Sequence, residues 1–203
     1  MAIKAIIFDV GGVLLKTQDR SFRNSLEEKY DLEPGGSEHL VFSSKAAQSA
    51  QRGEITIHAL WRTVANALGL DELEIREFKK QFWAGDQLDQ TLIELIGKLK
   101  NHYKTAIISN YTDELHNDLH NRFQISHLFD YIVVSAIEGV MKPDNRIFEI
   151  TLKRLGIEPE ESVFIDDSRV NIDASLALGI KSIHYTPETN LVTELNNLGI
   201  IYD

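Results

Sequence analysis

Five short apolar runs, each closed by polar residues or glycine, constrain the fold of this sequence more than any other feature. Four are rich in Ile, Val, Phe or Ala, and the fifth is weaker. Runs of this kind are typical of parallel strands that are buried on both faces. They cover residues 4–8, 104–109, 131–134, 162–165 and, in the weaker case, 181–184.

Amphipathic helical patterns lie between these runs from residue 91 onward. Apolar side chains recur at helical spacing in residues 91–99, 143–155 and 170–178, and Gly156 and Gly179 end the second and third patterns. This alternation of strand and helix predicts an α/β fold, with a core that is a Rossmann-like, doubly wound and mostly parallel sheet.

The segment after the first predicted strand has a different pattern. Four helical patterns, without a convincing strand between them, cover residues 21–30, 38–52, 56–68 and 73–83. We therefore expect a Rossmann-like core domain of residues 1–16 and 88–203, with an inserted all-helical cap domain of residues 17–87. Ligands of an open α/β sheet bind beyond the carboxyl ends of its strands. The cap would cover that crevice as a lid.

The composition excludes several classes of function. The chain has 203 residues, 43% of them hydrophobic, which suits one globular unit with a proper core. A net charge of -10 argues against nucleic acid or an anionic membrane as partner. Without cysteine there is no disulfide, thiolate metal site or cysteine nucleophile. No apolar run reaches the roughly 20 residues that cross a bilayer. The N-terminal stretch from Met1 to Asp9 meets a charge too early for a secretory signal, so we expect a cytoplasmic protein.

Polar side chains follow the predicted strands at their carboxyl ends, which share one edge of a parallel sheet. Each group alone has an ordinary interpretation, as a turn, a helix N-cap or a proline at a helix start. Their convergence on one edge is what predicts a functional site. The groups are Asp9 with Gly11 and Gly12, Ser109 with Asn110, Lys142 before Pro143, and Asp166 with Asp167.

In chain order, residues 8–14, 108–110, 141–148 and 163–174 resemble the four motifs of the haloacid dehalogenase-like hydrolases. The helical insertion is similar to the small helical cap of one branch of that family. Within that branch the chain resembles small-molecule phosphatases, including a sugar-phosphate type whose first motif also has glycine at its third position. The resemblance extends over nearly the whole chain and implies the fold described above.

The resemblance implies a magnesium-dependent phosphatase that hydrolyses a small phosphorylated metabolite, such as a sugar phosphate, through an aspartyl-phosphate. Asp9 would be the catalytic nucleophile, and Lys142 would neutralise charge as a second catalytic residue. The implied Mg²⁺ ligands are Asp9, the Gly11 carbonyl and Asp167, which is preferred to Asp166. The implied substrate-binding residues are Ser109, Asn110, Gly11 and Gly12.

Gly11 departs from the usual pattern of these phosphatases, which have an aspartate there as general acid and base. Such catalysis contributes about 10²–10⁴-fold, so we expect substrates with good leaving groups or a substitute proton donor. A positive φ at this glycine would make an aspartate costly. The candidate substitutes are Lys16, Asp113 and His116.

Two other functions stay open at this stage. A hydrolase of carbon–halogen bonds uses the same fold and nucleophile without metal, although such enzymes usually carry a bulky aromatic residue in place of Gly11. A degenerate family member that binds phosphate or a partner but turns over slowly is also consistent with that glycine. In the cap, Arg52 and Trp83 are the candidates for contact with the organic group of a substrate.

Overall fold

A five-stranded sheet, in which every neighbouring pair of strands is parallel, forms the centre of the computed structural model, which describes residues 2–202. The strands in chain order are β1 (Ala5–Phe8), β2 (Leu15–Thr17), β3 (Asp86–Leu88), β4 (Lys104–Ser109), β5 (Tyr131–Val134), β6 (Ser162–Asp166) and β7 (Lys181–His184). The sheet order is β5-β4-β1-β6-β7. All five strands predicted from the apolar runs are present, and the predicted doubly wound α/β fold is confirmed.

Helices cover both faces of this sheet because β1 is apolar on both sides. Its four side chains are 0% exposed, and they alternate between two separate hydrophobic clusters. Ile6 and Phe8 belong to a cluster with α6 (Gln90–Leu99) and α11 (Leu191–Asn197). Ala5 and Ile7 belong to a cluster with α9 (Asn145–Leu155) and α10 (Arg169–Ala177).

The helix predicted from residue 143 begins later than expected. Its first residue is Asn145, because the Asp144 side chain caps it by accepting a hydrogen bond from the Arg146 N–H at 3.0 Å. Pro143 follows a cis peptide bond and lies outside the helix. The other predicted bounds in this half of the chain differ from the observed ones by a single residue.

Helices between β2 and β3 enclose a third hydrophobic cluster, separate from those of the sheet, which includes Leu26, Trp61, Phe78 and Phe82. The helices there are α1 (Ser21–Lys29), α2 (Gly36–Glu38), α3 (Lys45–Gln51), α4 (Ile57–Leu68) and α5 (Glu72–Phe82). The remaining helices are the short α7 (Leu115–Asn117) and α8 (Ser135–Glu138), with a π-helical turn at Asp118–Arg122 and 3₁₀ turns at Ser126–Leu128 and Pro159–Glu161. The division into a core domain and a cap domain stays a prediction.

The single helix predicted over residues 38–52 is wrong. A π-helical turn at His39–Ser43 follows α2, and the chain then becomes extended at Ser44, where ψ is 161°. The Ser44 hydroxyl accepts a hydrogen bond from the Ala47 N–H at 3.1 Å and begins α3. The apolar spacing continues across this break, whereas the serine cap decides where the helix starts.

The antiparallel pair of β2 and β3 was not predicted, because each strand has only three residues and no apolar run. Next to it, the guanidinium of Arg23 donates to both carboxylate oxygens of Asp86, at 2.8 and 2.7 Å, and to Glu38 at 2.8 Å. The Arg23 side chain is 5% exposed. This buried ion pair joins α1 to the strand pair.

Within residues 2–202, no helix has the length and apolarity that a membrane span requires.

Arg23→Gln is expected to lower the free energy of unfolding by about 3–5 kcal/mol, because it leaves Asp86 buried without a counter-charge. Arg20→Gln is the matched control: Arg20 also pairs with Glu38, but its side chain is 39% exposed, and its loss should cost less than about 1 kcal/mol. Urea unfolding of both variants measures the difference. Equal losses would contradict the importance of the buried pair.

Candidate active site

The carboxyl ends of β1, β4 and β6 meet at one cavity of about 440 Å³. Asp9 is the first residue after β1, and its N–H donates to the Ile165 carbonyl on the neighbouring strand at 2.9 Å. Parallel register therefore brings distant segments of the chain to one edge. Every site residue predicted from the sequence lines this cavity: Asp9, Gly11, Gly12, Ser109, Asn110, Lys142 and Asp167.

Lys142 lies at the centre of the charged groups, with a side chain that is 1% exposed. Its ammonium group lies 2.9 Å from Asp9 Oδ1, and it donates to Asp166 Oδ2 at 2.6 Å and to the Ile108 carbonyl at 3.0 Å. An ammonium has three protons, so these contacts use all of them. The Asn110 side chain fixes the lysine backbone with two hydrogen bonds, 2.9 and 2.8 Å long.

Asp166 is a member of the site that the sequence analysis did not select. It is 0% exposed, and its carboxylate accepts hydrogen bonds from Lys142, from the Ser168 N–H at 2.8 Å and from Asn171 Nδ2 at 3.0 Å. Both of its oxygens are therefore engaged by protein donors. The sequence signal for it is the amide of Asn171, five positions later, which is buried.

The carboxyl groups of the cavity are poorly solvated, and their pKa values reflect this. Burial raises the pKa of Asp9 to about 7, with the charge of Asp166 adding to the rise and Lys142 opposing it. Burial and the charge of Asp166 also raise the pKa of Asp167. Burial alone would lower the pKa of Lys142, but the charges of Asp9 and Asp166 raise it overall. Within the part of the chain that the structure describes, the three carboxyl groups of the site therefore face only one ammonium, that of Lys142, and an additional positive charge would stabilise their ionised forms.

A divalent cation fits this arrangement. Asp9, Asp166 and Asp167 offer oxygens that lie within 4.8 Å of one another, and hard carboxylate oxygens are what Mg²⁺ prefers. Because the Asp166 oxygens are engaged, Asp9 and Asp167 are the carboxylates with capacity left. Gly12 makes room for this: its φ is +73°, and a Cβ there would lie 2.1 Å from Asp167 Oδ2.

The backbone of Gly11 does not have the positive φ that the sequence analysis considered. The positive φ belongs to Gly12 and not to Gly11, and a Cβ added at Gly11 would have no heavy atom within 4 Å. The backbone therefore accepts a side chain at this position. The N–H of Gly12 donates to the Leu15 carbonyl at 3.0 Å, so this amide is already engaged.

Of the three candidate substitutes for the missing acid, one lines the cavity and two lie outside it. Lys16 lines the cavity, but its ammonium is engaged by Asp89 and by the Tyr185 hydroxyl, each at 2.8 Å. Asp113 and His116 lie outside the cavity lining. Lys16 is thus the one of the three that is near the site, and it is held in an ion pair.

The helical segment contributes residues to the cavity that the sequence analysis missed. Trp83 lines the cavity as predicted, whereas Arg52 lies outside its lining and pairs with Glu54 at 2.6 Å. The missed lining residues have no local sequence signal, because they come from separate elements. From the helical segment they are Arg23, Phe42 and Gln51, and Tyr111 joins them from the chain that follows β4.

Comparison with known proteins agrees with this geometry. The family model for haloacid dehalogenase-like hydrolases matches residues 3–179. The chain belongs to this family of hydrolases. The sesquiterpene phosphatase astK of Aspergillus oryzae is 27% identical over 198 residues, which is 96% of each chain.

Solved structures of family members share the fold. A predicted HAD-like hydrolase from Porphyromonas gingivalis superposes with a TM-score of 0.79 at 20% identity, over 98% of both chains. A HAD family enzyme from Bacteroides thetaiotaomicron, in complex with magnesium and inorganic phosphate, superposes with a TM-score of 0.78 at 20% identity, over 95% of this chain and 99% of that one. The HAD-like fold of this hydrolase is therefore established.

Gly12→Ala and Gly11→Ala form a matched pair that tests the cation site. At position 12 the added methyl collides with the Asp167 carboxylate and displaces this metal ligand. The affinity for Mg²⁺ should then fall at least about tenfold, which is the loss that follows when the residues supporting a metal ligand are mutated. At position 11 the methyl meets open space, and the affinity should stay near that of the unchanged protein. Calorimetric titration with Mg²⁺ alone measures both. Equal affinities would show that Asp167 does not hold the ion.

Proposed function

We propose that this hydrolase is a magnesium-dependent phosphatase of a small phosphorylated metabolite, and that Asp9 is its nucleophile. The observation that carries the proposal is the asymmetry of the Asp9 carboxylate. Oδ1 accepts from the Val10 N–H at 2.7 Å and pairs with Lys142 at 2.9 Å. Among residues 2–202, Oδ2 has no hydrogen-bond donor, so it is the oxygen available for attack at the cavity wall.

The proposed reaction has two displacements at phosphorus. Asp9 Oδ2 attacks the phosphorus atom, the ester P–O bond breaks, and the alcohol oxygen leaves with a proton taken from solvent water. In the second step a water oxygen attacks the phosphorus of the aspartyl-phosphate, the P–Oδ2 bond breaks, and the water proton passes to solvent. The products are the alcohol and inorganic phosphate, and the Asp9 carboxylate is restored.

The other site residues fix charge and position. Ser109 is only 2% exposed, and within residues 2–202 its hydroxyl bonds to no other residue, so it can donate to a phosphoryl oxygen. Lys142 acts through its fixed charge, because its three protons are engaged. Asp9, Asp167 and the Gly11 carbonyl would hold Mg²⁺, which when bound supplies positive charge against the phosphoryl group.

Relatives support this assignment from outside the geometry. The sesquiterpene phosphatase astK matches 96% of this chain at 27% identity, and the Bacteroides enzyme of the same fold was solved in complex with magnesium and inorganic phosphate. In the same proposal the helices of residues 17–87 act as a cap over the cavity that holds the reacting groups. Trp83, Phe42 and Gln51 would then be the cap residues that meet the substrate.

Asp9→Asn should abolish phosphatase activity while leaving the protein folded, because an amide is a far poorer nucleophile than a carboxylate. Asp113→Asn, at an exposed position outside the cavity, is the matched control and should keep full activity. Release of phosphate from an aryl phosphate is measured with Mg²⁺ and with EDTA, and chelation should remove the activity of the unchanged protein. Near-normal turnover by Asp9→Asn would refute the covalent mechanism, and metal-independent halide release would favour a dehalogenase.

Gly11→Asp should restore an acid and base where the backbone has room for one. Without it, rates should fall steeply from aryl to simple alkyl phosphates; with it, hydrolysis of alkyl phosphates should rise by up to about 10²-fold. Gly11→Asn is the control of equal size that carries no proton to transfer. Steady-state rates on a series of graded leaving-group acidity test this, and a flat series for the unchanged protein would mean that another residue already supplies the proton.

A further inference from the structure

A second cavity of about 310 Å³ adjoins the catalytic one. It lies between the helical segment and the chain that follows β4. Five residues line both cavities, which makes them continuous: Phe42, Gln51, Trp83, Asn110 and Tyr111. A molecule with its phosphate beside Asp9 therefore has this second cavity within reach of its organic group.

The inner walls of the second cavity are apolar. Val41, Ile57, Leu60 and Trp61 line it, and each is at most 9% exposed. Phe42 completes the wall on the catalytic side. Its ring centroid lies 5.4 Å from that of Phe82 and 5.7 Å from that of Trp83, but 37% of the residue remains exposed. A hydrocarbon placed here would cover this exposed aromatic surface.

Two polar side chains of these walls are engaged within the protein, and the ammonium of Lys79, which also lines the cavity, lies over the Trp61 ring at 4.9 Å. Gln51 Nε2 donates to the Phe42 carbonyl at 2.8 Å, and the Tyr111 hydroxyl donates to Asp118 at 3.0 Å. The charged side chains of Glu114 and Arg122 lie at exposed positions of the rim. Hydroxyl groups of a sugar placed against the apolar wall of Val41, Ile57, Leu60 and Trp61 would lose their hydrogen bonds to water without finding partners there.

We propose that the second cavity binds an apolar organic group of the substrate, so that the enzyme hydrolyses hydrocarbon or aryl phosphates in preference to sugar phosphates. Phe42 and Trp83, which line both cavities, select that group. This inference rests on the proposed phosphatase function. It names the class of alcohol that the reaction releases.

Primary alkyl phosphates of increasing length separate apolar burial from leaving-group chemistry, because their leaving groups have nearly equal acidity. From ethyl to octyl phosphate, kcat/KM should rise about two- to fourfold for each methylene that enters the cavity. Glucose 6-phosphate, also a primary phosphate, should be hydrolysed more slowly than octyl phosphate. Turnover without a dependence on chain length would overturn the inference and leave the phosphatase function standing.

Binding can be measured without turnover, because both tryptophans of the chain, Trp61 and Trp83, line the second cavity. Octylphosphonate, which is not hydrolysed, should change their fluorescence and bind more tightly than methylphosphonate. Tight binding of the octyl compound by a protein that hydrolyses no phosphate would support the cavity and refute the phosphatase function. Equal binding of the two phosphonates would refute the cavity assignment.

Phe42→Ala should weaken octylphosphonate binding about five- to tenfold and leave methylphosphonate binding unchanged. Phe22→Ala is the matched control, because Phe22 is 38% exposed, against 37% for Phe42, but lines neither cavity. Phe42→Leu should restore most of the affinity if apolar contact is what matters. Equal effects at positions 22 and 42 would contradict the proposed role of Phe42.

Discussion

Lys142 holds a positive charge almost entirely out of water, and the loops at the carboxyl edge of the sheet are arranged around that charge. A buried ammonium is tolerated only where paired and fully hydrogen-bonded, and here Asp9, Asp166 and the Ile108 carbonyl meet that demand. Asn110 fixes the lysine backbone from the end of β4. Three strands and the loop before α9 are thus held in one geometry by a single cation.

Under the proposed function, this arrangement explains how a chain with a net charge of -10 can attract an anionic substrate. Asp166 is satisfied by Lys142, Ser168 and Asn171, so it serves to balance and position the lysine. Asp9 and Asp167 retain unsatisfied oxygens, and their raised pKa values show that the site favours more positive charge than the lysine provides. A bound divalent cation supplies that charge locally, where the field of the whole molecule is unfavourable.

The sequence predicted the sheet well because a strand buried on both faces needs an apolar run, and this demand is local. It failed where apolar spacing does not carry the deciding interaction. The apolar spacing of residues 38–52 does not show the break at Ser44, and the strands β2 and β3 are too short for any pattern. Asp166 and Asp167 are neighbours in sequence, and the contacts of Asp166 with Lys142, Ser168 and Asn171 separate their environments. The cavity walls join elements that are far apart in the chain, so Phe42 and Tyr111 gave no signal.

Gly11 and the apolar cavity both affect the rate of the proposed reaction, but in different ways. The chain lacks the carboxyl group that contributes about 10²–10⁴-fold in related chemistry, and burial of a hydrocarbon cannot replace a proton donor. Apolar contacts bind the substrate and the transition state almost equally, so they lower KM and raise kcat/KM while leaving kcat to the leaving group. A Cβ added at Gly11 would have no heavy atom within 4 Å, so the catalytic cavity keeps the space that an acidic side chain would occupy. The same missing side chain therefore removes a proton donor and leaves room beside the proposed nucleophile.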